Sequence, residues 1–380
     1  MSVLIAVRNI SGGGAEILEC RLAVALNNKG ILTDLLSQYS LNDFDKESDV
    51  LEWEKAGVPK VQWLNAKGAT GIFFSVFRLI KIIRLNKYDY VITANSGLDS
   101  IAAIARFFCS FKHIVALHDY PHSTVTKSLR FKLWCYLIAR SAHKLYAVST
   151  FVKKGNLKFI KVEPEKISVI YNSINVPFLT AHSKSFLTDD FTNLETGTKK
   201  ILLTGRLIRR KGIDIVLKIF SGLLSSFNAQ LFIAGDSFDK GIEEGVVGYK
   251  EELIKLIDRL NLNDRVKILG RRNDVFNLMQ QSDILIHLPR HEGFGLVLIE
   301  AIAAGIPVVA SNVGGIPEVM SRTPYKVFDL ENTEGITEQV KQFLLMDDDM
   351  KKMIITSAKE CLGYYSDDRR SDEIIEKIFS

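Results

Sequence analysis

Cysteine is scarce in this chain. Four are scattered along it (Cys20, Cys109, Cys135 and Cys361), and no two form a C-x-x-C pair. That spacing excludes a structural zinc site and a disulfide framework, and leaves the four as small core residues of a reducing compartment. Long apolar runs are absent as well: none reaches the ~18 residues that a membrane-spanning helix needs. No signal peptide is visible, because Met1 leads straight into the strand-like run VLIAV. The expectation is a cytoplasmic chain, peripheral at most on the inner face of a membrane. There is no repeat of solenoid length, no low-complexity tract and no nucleic-acid recognition motif.

What is present fits two domains of ordinary size. The 380 residues are 47% hydrophobic and 24% charged, enough for real cores and too apolar for extended disorder. Strand-like runs alternate with helical ones throughout, the pattern of an α/β protein with mostly parallel sheets. The first series is residues 3–8, 32–37, 88–94, 113–119, 144–149 and 167–172. Near 180–198 the sequence turns polar and loses its period, marking a linker. A second series follows at 200–205, 230–236, 265–270, 283–288 and 307–311. Two tandem doubly wound sheets facing each other across a cleft are expected. Function should then lie in the loops after the strands, because ligands of such sheets bind beyond the C-terminal strand ends.

Net charge is +5, and the excess is uneven. Residues 72–87 (IFFSVFRLIKIIRLNK) place Phe73, Phe77, Ile80 and Arg84 at helical spacing among Arg78, Lys81 and Lys87. Residues 127–144 repeat the style, with Trp134 and Tyr136 beside lysines and arginines. Such segments form either basic aromatic faces for an anionic membrane surface or ordinary helices with one buried side.

Three segments carry chemistry. After the first strand comes SGGGAEILEC, with Gly12, Gly13 and Gly14 ahead of an amphipathic helix. Glycine lets backbone amides approach a ligand, and the helix N-terminus favours an anion; a tight turn is the plainer alternative. A G-x-G-x-x-G dinucleotide fingerprint fails, because Ile17 stands where its last glycine belongs. The second series opens with TGRLIRRKGID, bringing Arg206, Arg209, Arg210 and Lys211 to the mouth of a strand. A guanidinium fork and an ammonium suit a diphosphate; a basic surface turn is the plainer alternative. Finally, HEGFGLVLIEAIAAG puts Glu292, Gly293 and Gly295 just past the strand DILIHL, with Glu300 eight residues on in an apolar helix. An unpaired carboxylate there is costly. It is justified by the vicinal hydroxyls of a ribose, or by a salt bridge to an arginine.

Together these segments resemble the retaining glycosyltransferases of family 4, which share the two-Rossmann GT-B architecture. The matching pieces include GGGAE (12–16), ALHD (116–119), VIYNSIN (169–175), GRLIRRKG (205–212), HEGFGLVLIEAIAAGIPVVAS (291–311) and VGGIPEV (313–319). The resemblance implies an N-terminal acceptor-binding domain over 1–180 and a C-terminal nucleotide-sugar-binding domain over 198–365. A C-terminal helix, 366–380, crosses back to the N-terminal domain. It implies that Arg206 and Lys211 hold the donor diphosphate, aided by the amides of Gly295 and Leu296. Glu300 takes the ribose hydroxyls, and Glu292 contacts the transferred sugar and stabilises the positive charge developing on it. Gly13 and Gly14 close over the diphosphate, and His118 lies at the reaction centre. Arg271, Gly293 and Phe294 complete the implied donor site. Two departures stand out: Asn172-Ser173 replaces the usual Asn-Gly, and Asp236-Ser237-Phe238 replaces an acidic-glycine pair.

No D-x-D stands at a strand end; MDDDM (346–350) reads as a solvated helix start. In agreement with that, the resemblance implies a metal-independent transfer, with retention, from a UDP- or GDP-type sugar donor and without a cofactor. The implied acceptor is a glycan or polyprenyl-linked glycan of surface polysaccharide biosynthesis such as lipopolysaccharide. Two alternatives share the architecture: a nucleotide-sugar epimerase or hydrolase, and a non-catalytic nucleotide-sugar-binding partner subunit.

Overall fold

The computed structural model describes residues 1–11, 13–39, 47–65, 68–121, 126–182, 191, 194–236 and 248–380, with backbone only at 68–70 and 72. Gly12, most of the linker at 180–198, part of the loop 119–127, and Ser237 and Phe238 with the loop after them fall outside. The described chain forms two compact units: Met1–Ser173 together with Tyr365–Ser380, and Ile174–Tyr364.

The first unit is built on seven strands: β1 (Ser2–Val7), β2 (Leu32–Ser37), β3 (Val61–Trp63), β4 (Tyr90–Thr93), β5 (Lys112–Leu117), β6 (Ala142–Ala147) and β7 (Ile167–Val169). Their order is β3-β2-β1-β4-β5-β6-β7, and every ladder is parallel. Helices cover both faces of such a sheet, so its strands are apolar runs without alternation. Val3 to Val7 are accordingly all buried. The helix Ser96–Ala105 packs between Gly68–Asn86 and Leu129–Ser141. It starts where Asn95 caps it, accepting from the amides of Gly97 at 3.1 Å and Leu98 at 3.0 Å. The helix Asp367–Ile374 lies on the helix Gly14–Asn28, so a segment late in the chain completes the unit that begins it.

The second unit has six parallel strands: β8 (Lys199–Thr204), β9 (Ala229–Ala234), β10 (Val266–Gly270), β11 (Ile284–His287), β12 (Val308–Ser311) and β13 (Val327–Phe328). They are ordered β10-β9-β8-β11-β12-β13. β3 and β13 were not anticipated; at three and two residues they are too short to show a period. In each sheet the strand order reverses once, between β1 and β4 and between β8 and β11. A crevice for a ligand opens at such a reversal.

The basic aromatic segments are helical, as expected, and the first buries one side while leaving aromatic and basic residues on the other. Val76, Leu79, Ile80 and Ile83 of Gly68–Asn86 are buried against the neighbouring helix. Phe73, Phe74 and Phe77 stay 56–67% exposed on the side that carries Arg78, Lys81 and Arg84. On Leu129–Ser141, Leu129, Leu133 and Tyr136 are exposed while Trp134 turns inward.

Candidate active site

In the second unit the loops after β8 and β11 flank the strand reversal and are bound to each other by main chain. Arg290 donates its amide to the Arg210 carbonyl at 2.7 Å and Nη1 to the Arg209 carbonyl at 2.8 Å. Its guanidinium also grips Asp214 through two bonds, of 2.8 and 2.6 Å. Burial alone would raise the Asp214 carboxyl, but Arg290 and the Tyr249 hydroxyl hold it below its ordinary range.

Two glycines make this closeness possible. Gly212 has φ +66°, and a Cβ there would lie 2.0 Å from the Leu288 carbonyl oxygen. Gly314 has φ +61°, and its Cβ would lie 1.9 Å from the Glu292 carbonyl oxygen. The Gly315 amide binds that same oxygen at 3.0 Å, tying the loop after β12 to the loop after β11.

This frame sets Lys211 against Glu292. Nζ donates to Oε2 at 2.7 Å, with the side chains 17% and 18% exposed, so the pair is sheltered and still reachable. His287, at the end of β11, brings Nε2 to within 3.3 Å of the same oxygen. Burial pulls against the Glu292 charge, but Lys211 and His287 outweigh it and hold the carboxyl well below the usual range. Burial, with Lys211 beside it, lowers the His287 imidazole despite the pull of Glu292. The cluster therefore favours a charged Glu292 carboxylate beside a neutral His287 imidazole.

The other candidates of this unit are distributed around that pair. Arg206 is half-buried just after β8, whereas Arg209 turns to the surface, paired with Glu252 and lying over Tyr249. Arg271 is exposed immediately after β10. Gly293 and Phe294 are buried. Gly295 caps the helix Leu296–Ala304 in a left-handed conformation, so the free amides of its first turn begin at Leu296. Glu300 is half-buried in that helix, the one polar side chain in LVLIEAIAA. Asp347 of MDDDM caps the helix Asp348–Lys359, accepting from the Met350 amide at 2.8 Å. Among the described residues, no group of three His, Cys, Asp or Glu could hold a metal ion.

In the first unit, Gly13 caps the helix Gly14–Asn28, and both Gly13 and Gly14 are exposed. Gly13 has φ −78°, a conformation open to any residue, so the turn itself does not demand glycine there. His118 follows β5, its Nε2 lying 3.0 Å from Oε1 of the wholly buried Glu19.

His287, Asp214, Arg290 and Glu19 were missed in the sequence. His287 closes an apolar strand, and Glu19 sits in the apolar run EILECRLAVAL. Glu19 therefore carried the same mark as Glu300, a carboxylate among aliphatic residues.

Two family models match the chain. One, described as Glycosyltransferase Family 4, covers residues 12–177; the other, Glycosyl transferases group 1, covers residues 187–360. Among curated proteins, the chain is 30% identical over 225 residues to the N-acetyl-alpha-D-glucosaminyl L-malate synthase of Bacillus anthracis, covering 57% of this chain and 53% of that protein. It is 26% identical over 246 residues to the Escherichia coli UDP-Gal:alpha-D-GlcNAc-diphosphoundecaprenol alpha-1,3-galactosyltransferase, covering 63% and 62%. The match thus spans half to two thirds of those relatives. Among solved structures, HepE of Anabaena in complex with UDP-glucose is similar over 100% of this chain and 99% of its own, with a TM-score of 0.79 and 20% identity. WaaG, a glycosyltransferase involved in lipopolysaccharide biosynthesis, matches over 98% and 99%, with a TM-score of 0.69 and 18% identity.

Proposed function

The chain belongs to the family 4 glycosyltransferases of GT-B fold, and we propose that it moves a sugar, with retention and without a metal ion, from a nucleoside-diphosphate sugar to a glycan or lipid-linked glycan. The observation that supports this most is the Lys211–Glu292 pair at 2.7 Å, beside the strand reversal of the second unit.

Lys211 and Arg206 neutralise the departing diphosphate, the charge stabilisation that often dominates such steps. The amides of Gly295 and Leu296 add donors at a helix start, and Arg271 lies at the donor's edge. Glu292 accepts hydroxyls of the sugar through Gly293 and Phe294's loop and stabilises the positive charge on its anomeric carbon. Glu300 holds the ribose. Gly13, Gly14 and His118 act from the first unit. The bond from the anomeric carbon to the diphosphate breaks while the acceptor oxygen bonds on the same face. The acceptor's proton passes to the leaving phosphate.

The domain roles follow: the first unit takes the acceptor, and the second takes the donor. The exposed Phe73, Phe74 and Phe77 beside Arg78, Lys81 and Arg84 favour an acceptor at an anionic membrane surface. No described helix is long and apolar enough to cross a membrane. The proposed location is cytoplasmic, at the inner membrane face where such an acceptor would be met. UDP-type donors are favoured by the UDP-glucose bound to HepE.

The test is a thermal-shift panel of UDP, GDP, ADP and their common sugar conjugates, each with magnesium and with chelator. A ligand that binds the folded chain raises its melting temperature. One nucleoside diphosphate giving the same shift in both conditions is expected. No shift with any of them, from folded protein, would defeat the proposal.

A further inference from the structure

Glu19 has no exposed surface, yet the groups that surround it favour its charged form. It lies mid-helix among Leu18, Cys20 and Leu22. Burial works to raise its carboxyl, but Arg370, then His118 and Tyr146, bring it from 4.5 down to about 2. Arg370, 2% exposed on the helix Asp367–Ile374, donates Nη2 to Oε1 at 2.5 Å and Nη1 to the Leu18 carbonyl at 3.0 Å. The Tyr146 hydroxyl donates to Oε2 at 2.7 Å. The clamp continues along the helix, where Arg21 binds Asp367 at 3.1 and 2.5 Å and Lys29 binds Asp372 at 2.6 Å.

His118 faces this charge. Its Nε2 lies 3.0 Å from Oε1, a close approach rather than an aligned hydrogen bond. An ionised carboxylate offers only lone pairs. A ring nitrogen at that distance must carry a proton, or two lone pairs would oppose each other. Neither ring nitrogen has an aligned hydrogen-bond partner among the described residues, and Nδ1 has no carboxylate facing it.

We propose that Glu19, ion-paired to Arg370, is a positioning residue that fixes the His118 ring with its proton on Nε2 and its lone pair on Nδ1. Arg370 supplies the counter-charge, so the histidine is not needed as one. A functional histidine is commonly oriented by the partner of its second nitrogen. The proposal rests on the placement of His118 at the reaction centre.

Nitrogen-15 NMR of the histidine-labelled full chain at pH 8.5 tests it, with His118→Gln identifying the signal. The expected wild-type ring is protonated on Nε2 alone, with a slowly exchanging proton. A proton on Nδ1, alone or together with Nε2, overturns the proposal without any variant needing to fold. The E19L/R370M double variant removes both buried charges together, a change that buried ion pairs often tolerate. Its Nε2 proton should exchange measurably faster than in the wild type. Unchanged exchange in a folded double variant also overturns it. The role of His118 in the reaction is judged separately, by UDP release from UDP-glucose and UDP-N-acetylglucosamine in His118→Ala. Wild-type release there would remove His118 from the chemistry while leaving the ring state to report on Glu19.

Discussion

Replacing Glu292 by glutamine should separate binding from turnover, with opposite signs. Lys211 is engaged with Glu292 at 2.7 Å, and both are largely sheltered from water. A hydrogen bond between charged groups in such a place contributes about 1.5–3 kcal/mol. A diphosphate arriving at Lys211 must share the ammonium with that carboxylate. Glutamine keeps the shape and removes the competing charge. If half the pair energy is recovered, about 0.7–1.5 kcal/mol, UDP binds E292Q roughly 3–10-fold more tightly. Turnover should fall sharply in the same variant, because the anion that stabilises the sugar's positive charge is gone. K211M should act in the other direction and weaken UDP at least ~10-fold, since it deletes the attraction and leaves the carboxylate facing the phosphates. Isothermal titration at fixed ionic strength measures all three proteins. Weaker UDP binding by a folded E292Q, or unchanged binding by K211M, would refute this account of the pair.

Arg206→Ala should weaken UDP binding, and equal affinity would remove Arg206 from the diphosphate site. Gly314→Ala places a methyl group 1.9 Å from the Glu292 carbonyl oxygen at φ +61°. It should cost at least about 1–2 kcal/mol, read as a lower melting temperature, and wild-type melting would show that the loop yields freely. Asp99 is buried, and burial lifts its carboxyl from 3.8 to about 7 against the bonds from Thr93 and Trp134. Between those values the native state keeps a proton that the unfolded chain has released, so stability falls as pH rises through that window. Asp99→Asn should flatten the slope and gain on the order of 1–4 kcal/mol above pH 7; parallel denaturation profiles would exclude it. Sedimentation with anionic vesicles should weaken when Arg78, Lys81 and Arg84 become glutamine, and equal sedimentation would clear this helix of membrane contact.

The sheets were legible because parallel strands buried on both faces read as unbroken apolar runs. β1, β2 and β8 begin and end within a residue of the expected positions. The short edge strands β3 and β13 carried too few residues to show a pattern. At the site, Lys211 and Glu292 were legible as charges just past strand ends, but their contact was not. That contact depends on Gly212 and Gly314 allowing backbones to meet, a matter of space that residue spacing does not encode. Exposure was the other blind spot. Phe73 and Phe77 share a helical stripe with Ile80 in the sequence, yet only Ile80 is buried.

The Glu19–Arg370 bond joins positions 351 residues apart. A ribosome working at ~5–20 residues per second makes the carboxylate tens of seconds before its guanidinium exists. During that interval the nascent first unit holds an acid with no arginine to meet it, and protonation or solvent must stand in. The second unit, Ile174–Tyr364, is synthesised whole within the same interval and can fold while the first still waits. The order of maturation should thus run against the order of synthesis, with the unit made first becoming native last.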